Sequence, residues 1–382
     1  MQFKEIIGQQ AVKALLVQNV KENRVSHAQL FLGDEGSGAL PLAIAYAQYI
    51  NCLNKQGSDS CGICASCRKY EKLIHPDLHF SYPFFASKDV KSALAVLPEW
   101  RNMVLEDAYF NLSIWQNKLS AEKKQANINR AECHEIIKKM SLKAFEADVK
   151  VVIMWLPEYL ENDGNVLLKL LEEPPENSLF LLVSQQRDAI LPTILSRTQL
   201  LKIPKLSDDE IKGYLSQNFS LTDAQIESYG YLADGNLIEA KLMATSSVNS
   251  HFQTFTDWLR LGFRNDGLAL MNFSEELAGW GRESQKNFLR YGIHFLRECA
   301  LILNGAEELV KLPPEALEVA KNLSTKVLNT ASIEALVSEL DKACFHVERN
   351  ANAKILFLDV SLQIVKIIKF NSLPSGIQYI YN

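Results

Sequence analysis

Ala28-Gln29-Leu30-Phe31-Leu32-Gly33-Asp34-Glu35-Gly36-Ser37-Gly38-Ala39-Leu40 is a short apolar run that enters a glycine loop and leaves it into a helix-forming segment. Ala28 to Leu32 predicts a buried strand, and Ala39 to Leu53 predicts a helix. Strand, glycine turn and helix are the setting in which a loop of pattern G-x-x-x-x-G-K-[ST] cradles phosphates. Backbone N–H groups surround them, the Lys contacts the terminal ones, and the hydroxyl holds Mg²⁺. Here Gly33, Gly36 and Gly38 supply the shape, but Ala39 and Leu40 stand where Lys and Ser or Thr belong. The loop is expected to keep its fold and to have lost its chemistry.

Working outward, residues 9–22 place Val12, Leu15, Leu16, Asn19 and Val20 at near-helical spacing. Lys150 to Leu156 and Ser178 to Ser184 read as two more buried strands. A helix from about Gly164 to Glu173 lies between them, with Val166, Leu167, Leu170 and Leu171 on its apolar side and Pro174-Pro175 as its stop. Strands alternating with helices predict a parallel, helix-covered sheet. A nucleotide hydrolase of this kind carries acids at the end of the Val151 to Trp155 strand to hold Mg²⁺; Trp155 and Leu156 occupy that place. Glu158, after Pro157, reads as a solvated loop or capping residue. Beyond Pro204 the pattern turns helical, opening on the capping sequence Ser207-Asp208-Asp209-Glu210. A small helical domain over 206–245 and a second helical unit over 250–369 follow, the latter with apolar stretches Ile333 to Leu340 and Ile355 to Ile368. Phe84 to Ala126, rich in Trp, Lys and Asn without alternation, reads as an insertion.

The 382 residues suit two or three domains. They are 47% hydrophobic and 22% charged, with 40 basic against 45 acidic side chains, so no global field draws the chain to nucleic acid. No run of about 18 apolar residues suggests a membrane span, and Met1-Gln2-Phe3-Lys4-Glu5 does not open a secretory signal. A cytoplasmic location is expected.

Four of the seven cysteines fall within 52–67. Cys52, Cys61, Cys64 and Cys67 give C-x8-C-x2-C-x2-C, and four thiolates close a tetrahedral zinc shell with no open position, a structural rather than catalytic site. Gly62 lets the turn curl around a metal. An iron–sulfur cluster is the rival occupant, and four reduced thiols the plain alternative. His75 and His79 are assigned loop or capping roles, since four thiolates already saturate a metal.

Seven motifs now stand together: Phe3-x4-Gly8-Gln9, Ser26-His27-Ala28, the cysteine knuckle, His75-Pro76-Asp77-Leu78, Leu168-Lys169-Leu170-Leu171-Glu172-Glu173-Pro174-Pro175, Leu195-Ser196-Arg197 and Arg349-Asn350-Ala351-Asn352. Across nearly the whole chain they resemble bacterial DNA polymerase III clamp-loader subunits of the AAA+ class. The resemblance implies an α/β plus all-α protein. A RecA-like AAA+ parallel-sheet domain over 1–204 would carry a zinc module at 52–67 and the insertion at 84–126, followed by a helical lid over 205–248 and a helical collar for oligomerisation over 249–382. It implies that Arg197, with Ser196 beside it, is an arginine finger acting in trans on ATP bound by an adjacent subunit. Thr198 departs from the family's Cys at an uncharged position. Gly235-Asn236 stands where active relatives place a sensor segment with an Arg close behind; Leu237, Ile238 and Glu239 follow instead. The family's subunit without loop Lys and strand-end acids is a non-hydrolysing one, so no bound ATP and no intrinsic ATPase are expected, and zinc is expected as a structural ion. Implied partners are the tau/gamma-type ATPase subunits and delta, with the sliding clamp and primer-template DNA met through the complex and no membrane. Two competitors are a residual ATP-binding switch built on the glycine loop and a free-standing zinc-knuckle nucleic-acid binder. Lys55, Arg68, Lys69 and Lys72 are a sparse basic set for the second.

Overall fold

The computed structural model describes residues 1–371 apart from 88–89, 122–123, 246–248 and 350. Asn350 of the late motif, residues 372–382 of the expected collar, and short pieces of the expected lid and insertion lie outside the described residues. The chain divides into two compact units, Met1–Tyr214 with Ala233–Glu239, and Leu215–Leu232 with Ala240–Asn382.

The strands are β1 (Ala28–Gly33), β2 (Leu78–Ser81), β3 (Phe84–Phe85), β4 (Ala126–Asn127), β5 (Lys150–Trp155), β6 (Ser178–Ser184) and β7 (Gln199–Ile203). Among the described residues, five form the expected parallel sheet in the order β2-β5-β6-β1-β7, while β3 pairs antiparallel with β4. Alternation puts Val151, Ile153 and Trp155 of β5 on one face and Val152 and Met154 on the other, with Leu179, Leu181 and Val183 against Phe180 and Leu182 in β6. Both faces are covered, which is why these strands read as unbroken apolar runs.

The helices of the first half are α1 (Gln10–Lys21), α2 (Ala39–Ile50), α3 (Ala65–Glu71), α4 (Leu97–Glu106), α5 (Leu112–Lys118), α6 (Arg130–Ser141), α7 (Leu168–Glu172) and α8 (Pro192–Leu195). Then come α9 (Asp208–Asn218), α10 (Asp223–Leu232) and α11 (Leu237–Thr245). Every residue of α2 is buried on one sheet face, whereas Cys133, Ile136 and Met140 of α6 pack on the other. Ser207 and Glu210 exchange bonds as a capping box at the start of α9, as the sequence led one to expect.

Three local expectations change. The helix after the glycine loop stops at Ile50, not Leu53, because the Asn51 amide donates to Tyr70 Oη at 2.7 Å and Val149 O at 2.8 Å, releasing Cys52 into the cysteine loop. The helix foreseen over 164–173 is a 3₁₀ segment, Pro157–Leu167, broken at Glu161 with φ 45°, and only Leu168–Glu172 is α-helical. Leu15, counted on the apolar face of α1, is exposed. The stretch 84–126 is held by rings. Trp100 stacks on Tyr82 with centroids 4.0 Å apart, and Phe110, Trp115 and Trp155 meet Trp100 at 5.2–5.4 Å, all within the core of the sheet. Trp115 Nε1 donates to Pro83 O at 2.9 Å.

The turn before β2 is built around Asp77. Its buried carboxylate accepts the N–H groups of Phe145, Glu146 and Ala147 at 2.7, 2.8 and 2.9 Å. Burial pushes the carboxyl up, but the three N–H groups outweigh it and hold it below the ordinary 3.8. A pKa depressed by folding gives stability that is complete above the unfolded value and lost as pH falls through the folded one, here below about pH 4. Asp77→Asn is expected to lower stability at pH 7 by about 2–3 kcal/mol. In urea melts its deficit against wild type should shrink as pH falls below about 4; equal stability at pH 7 would refute the role. His75 plays the expected turn role, its Nδ1 accepting from Asp77 N at 3.2 Å, while His79 lies within β2.

In the second unit, α12 (Asn249–Arg264), α13 (Gly267–Ala278), α14 (Arg282–Leu303), α15 (Pro314–Lys326), α16 (Thr330–Glu348) and α17 (Ala353–Phe370) surround a core rich in aromatics, among them Phe255, Trp258, Phe288, Phe295 and Phe357. Trp258 Nε1 donates to Ser361 Oγ at 2.8 Å. The stretches Ile333 to Leu340 and Ile355 to Ile368 lie in α16 and α17, and Asn352 caps α17. No helix of the described residues is long and apolar enough to cross a membrane.

Candidate functional site

β1 ends in Gly33 and α2 begins after Gly38, so the glycine loop sits at the carboxyl end of the sheet. Gly36 and Gly38 take φ of 74° and 89°, backbone that the absence of a side chain permits. Both are also crowded. A Cβ on Gly36 would meet Asn236 Oδ1 at 1.9 Å and Leu237 N at 2.6 Å, and one on Gly38 would meet the Tyr109 ring at 3.1 Å. Leu237 N donates to Gly36 O at 3.4 Å. Asn236 is fixed in turn because its Oδ1 caps α11, accepting from Ile238 N at 3.0 Å. Gln9 ties the loop to the end of β7, its Nε2 donating to Ser37 O at 3.0 Å and Pro204 O at 2.7 Å. Ala39 and Leu40 are buried in the core. The cleft left between the loop, Tyr109, Trp155 and Ile238 is about 30 Å³, room for a few waters.

At the end of β5 the Trp155 indole meets Trp100 at 5.2 Å and Phe110 at 5.0 Å, a dry aromatic end. Glu158 is not the solvated residue foreseen. Its Oε1 accepts from Gln185 N at 3.0 Å, and its Oε2 is buried without a partner among the described residues. Burial raises its carboxyl above the usual value against the pull of backbone N–H groups. The short Pro157 turn points it inward at the end of β6.

Arg197 follows α8 and lies apart from the glycine loop in the chain. Its Nε donates to Glu172 Oε1 at 2.8 Å, its Nη2 donates to the same oxygen, and its Nη1 donates to Thr193 O at 2.8 Å and Ser196 Oγ at 3.2 Å. Ser196 Oγ donates to Thr193 O at 3.0 Å. The guanidinium side chain is 29% exposed, held at the surface by a charge-assisted bond from the end of α7.

Cys52, Cys61, Cys64 and Cys67 converge, with their Sγ atoms all within 4.8 Å of one another. Cys61 Sγ and Cys67 Sγ are 3.9 Å apart, close to the edge of about 3.8 Å that a tetrahedron of Zn–S bonds of about 2.3 Å requires. Backbone N–H groups point at sulfur: Cys61 N to Cys52 Sγ at 3.2 Å, Cys64 N to Cys61 Sγ at 3.3 Å and Cys67 N to Cys64 Sγ at 3.4 Å. Such bonds favour thiolates. Burial pushes the Cys61 thiol up, but N–H groups of Cys64 and Ile63 and the adjoining thiols outweigh it and bring it to about 6. Gly62 has φ 71° at the tight turn. Asp59 clamps the loop to the chain start, its Oδ1 accepting from Phe3 N and its Oδ2 from Lys4 N, both at 3.0 Å.

The four thiols thus form one set, the glycine loop a second, and Arg197 with Ser196 a third. Three participants escaped the sequence reading: Glu172 on Arg197, Asn236 on Gly36, and Tyr109 on Gly38. Glu172 sits in a quoted motif, but each partner lies 25 or more residues away, and no spacing rule couples them.

The profile of the family described as "DNA polymerase III, delta subunit" matches residues 8–207. The DNA polymerase III subunit delta' of Bacillus subtilis is 28% identical over 207 residues, covering 54% of this chain and 51% of the relative. Subunit gamma of Buchnera aphidicola is 23% identical over 253 residues, 65% of this chain and 59% of the relative. Subunit delta' of Yersinia pestis is 27% identical over 198 residues, 51% of this chain and 44% of the relative. The chain spans about half the length of the curated relatives it matches.

Proposed function

The chain belongs to the DNA polymerase III delta-subunit family as a delta-prime-type clamp-loader subunit, and from that premise we propose that it works without hydrolysing ATP and supplies an arginine finger to a neighbouring ATPase subunit. The observation that carries the first half is the filled glycine loop. Ala39 and Leu40 are core residues, Asn236 and Leu237 press on Gly36, and Trp155 replaces the metal-holding acids. A triphosphate needs backbone N–H groups, a cation and a metal site together, and two of the three have no counterpart in these residues. The second half is supported by Arg197, a surface guanidinium braced on rigid elements. ATP binding elsewhere in the assembly would be coupled to this subunit through that contact.

The four thiols hold zinc in this reading, as a structural ion that supplies cross-linking and no open position for substrate. The lid over 205–248 and the oligomerising collar over 249–382 belong to the same proposal. Partners are the tau/gamma-type ATPase subunits and delta, with the clamp and primer-template DNA reached through the complex in the cytoplasm. Co-purification with those subunits tests the assembly, and equilibrium binding of labelled ATP to the isolated chain tests the silent site. Saturable ATP binding or turnover by this chain alone would overturn the non-hydrolysing role.

A further inference from the structure

Outside the elements assigned above, β2 forms the edge of the sheet, and beside it a cavity of about 180 Å³ opens between α4 and α6. It is larger than a cavity of about 150 Å³ that takes up benzene. Phe80, Tyr82 and Leu97 give it apolar walls, while His79, Arg101 and Lys139 bring polar heads to the same space. The back wall is rigid. Tyr82 Oη donates to Ala93 O at 2.8 Å, Ala93 N donates to Glu132 Oε2 at 3.0 Å, and Tyr82 stacks on Trp100.

The charges are unbalanced. Arg101 Nε is buried with no hydrogen-bond partner among the described residues. A buried N–H without an acceptor is costly, and an entering anion removes that cost. Burial, then the charges of Lys139 and Lys150, bring His79 down to about 4, so its ring is neutral at pH 7 and the local field is positive. The nearest acid on the wall, Glu132, is already engaged with Ala93 N and is raised by burial.

We propose that this cavity binds a small organic carboxylate, its head on Arg101 and Lys139 and a benzene-sized body against Phe80, Tyr82 and Leu97. The guanidinium fork matches a carboxylate in shape as well as charge. The site is independent of the clamp-loading role.

The full chain is titrated with benzoate, benzyl alcohol and acetate, read by saturation-transfer NMR of the ligand and by tryptophan emission, since Trp100 lies beneath Tyr82. Benzoate is expected to bind saturably, and the alcohol and acetate at least about tenfold more weakly. Arg101→Leu should weaken benzoate about tenfold or more, and Leu94→Trp, at an exposed position on the rim, should block it. Equal binding of benzoate and the alcohol, unchanged affinity in Arg101→Leu, or no saturable response to benzoate at tens of millimolar would each overturn the site. Should Arg101→Leu fail to fold, Lys139→Met and Leu94→Trp carry the same comparison.

Discussion

Arg197→Ala is expected to slow hydrolysis at the ATP site facing this subunit by about 10³–10⁵-fold, the worth of an arginine supplied in trans. The isolated chain should keep its fold, because the residue is at the surface and contacts only Glu172, Thr193 and Ser196. Single-turnover hydrolysis in the reconstituted loader, with clamp and primed DNA present, isolates the affected site from those that other subunits serve. Arg197→Lys should rescue little, since an ammonium cannot reproduce a planar fork. Glu172→Ala, which frees the guanidinium without removing it, should cost far less. An unchanged rate in Arg197→Ala would end the trans role.

Metal removal should have the other large effect. Small structural zinc sites contribute about 10–16 kcal/mol of apparent binding energy, and here it is concentrated in a loop whose protein contacts are few. Chelation, or Cys61→Ser, is expected to release the N–H groups of Cys61, Cys64 and Cys67 that point at sulfur, and with them Phe3 and Lys4, which depend on Asp59. Hydrogen exchange should report loss of protection over residues 1–5 and 52–67, with the helices of the second unit unaffected because their core is separate. Protein purified with far less than one equivalent of zinc, or unchanged protection after chelation, would refute the assignment.

The sheet and the cysteine cluster were legible because their signals are local. Apolar strands 5 to 7 residues long and four thiols at fixed spacing need no knowledge of distant contacts. What escaped was set by tertiary partners. Trp100 and Trp115 show no period, since their rings answer to Tyr82 and Trp155 rather than to their own helices. The helix foreseen over 164–173 lost its first turn to a backbone break at Glu161, where no glycine or proline marks the sequence. Glu158 read as a surface acid because the N–H that turns it inward belongs to Gln185 on another strand.

The indole at the end of β5 also bears on reversibility. Trp155→Asp would set a carboxylate among Trp100 and Phe110 with the volume of an indole left empty, and both the void and the unsolvated charge are penalised by several kcal/mol. Reacquiring a catalytic acid there would demand simultaneous rebuilding of the surrounding rings, which makes the departure from ATP chemistry a one-way ratchet for this lineage.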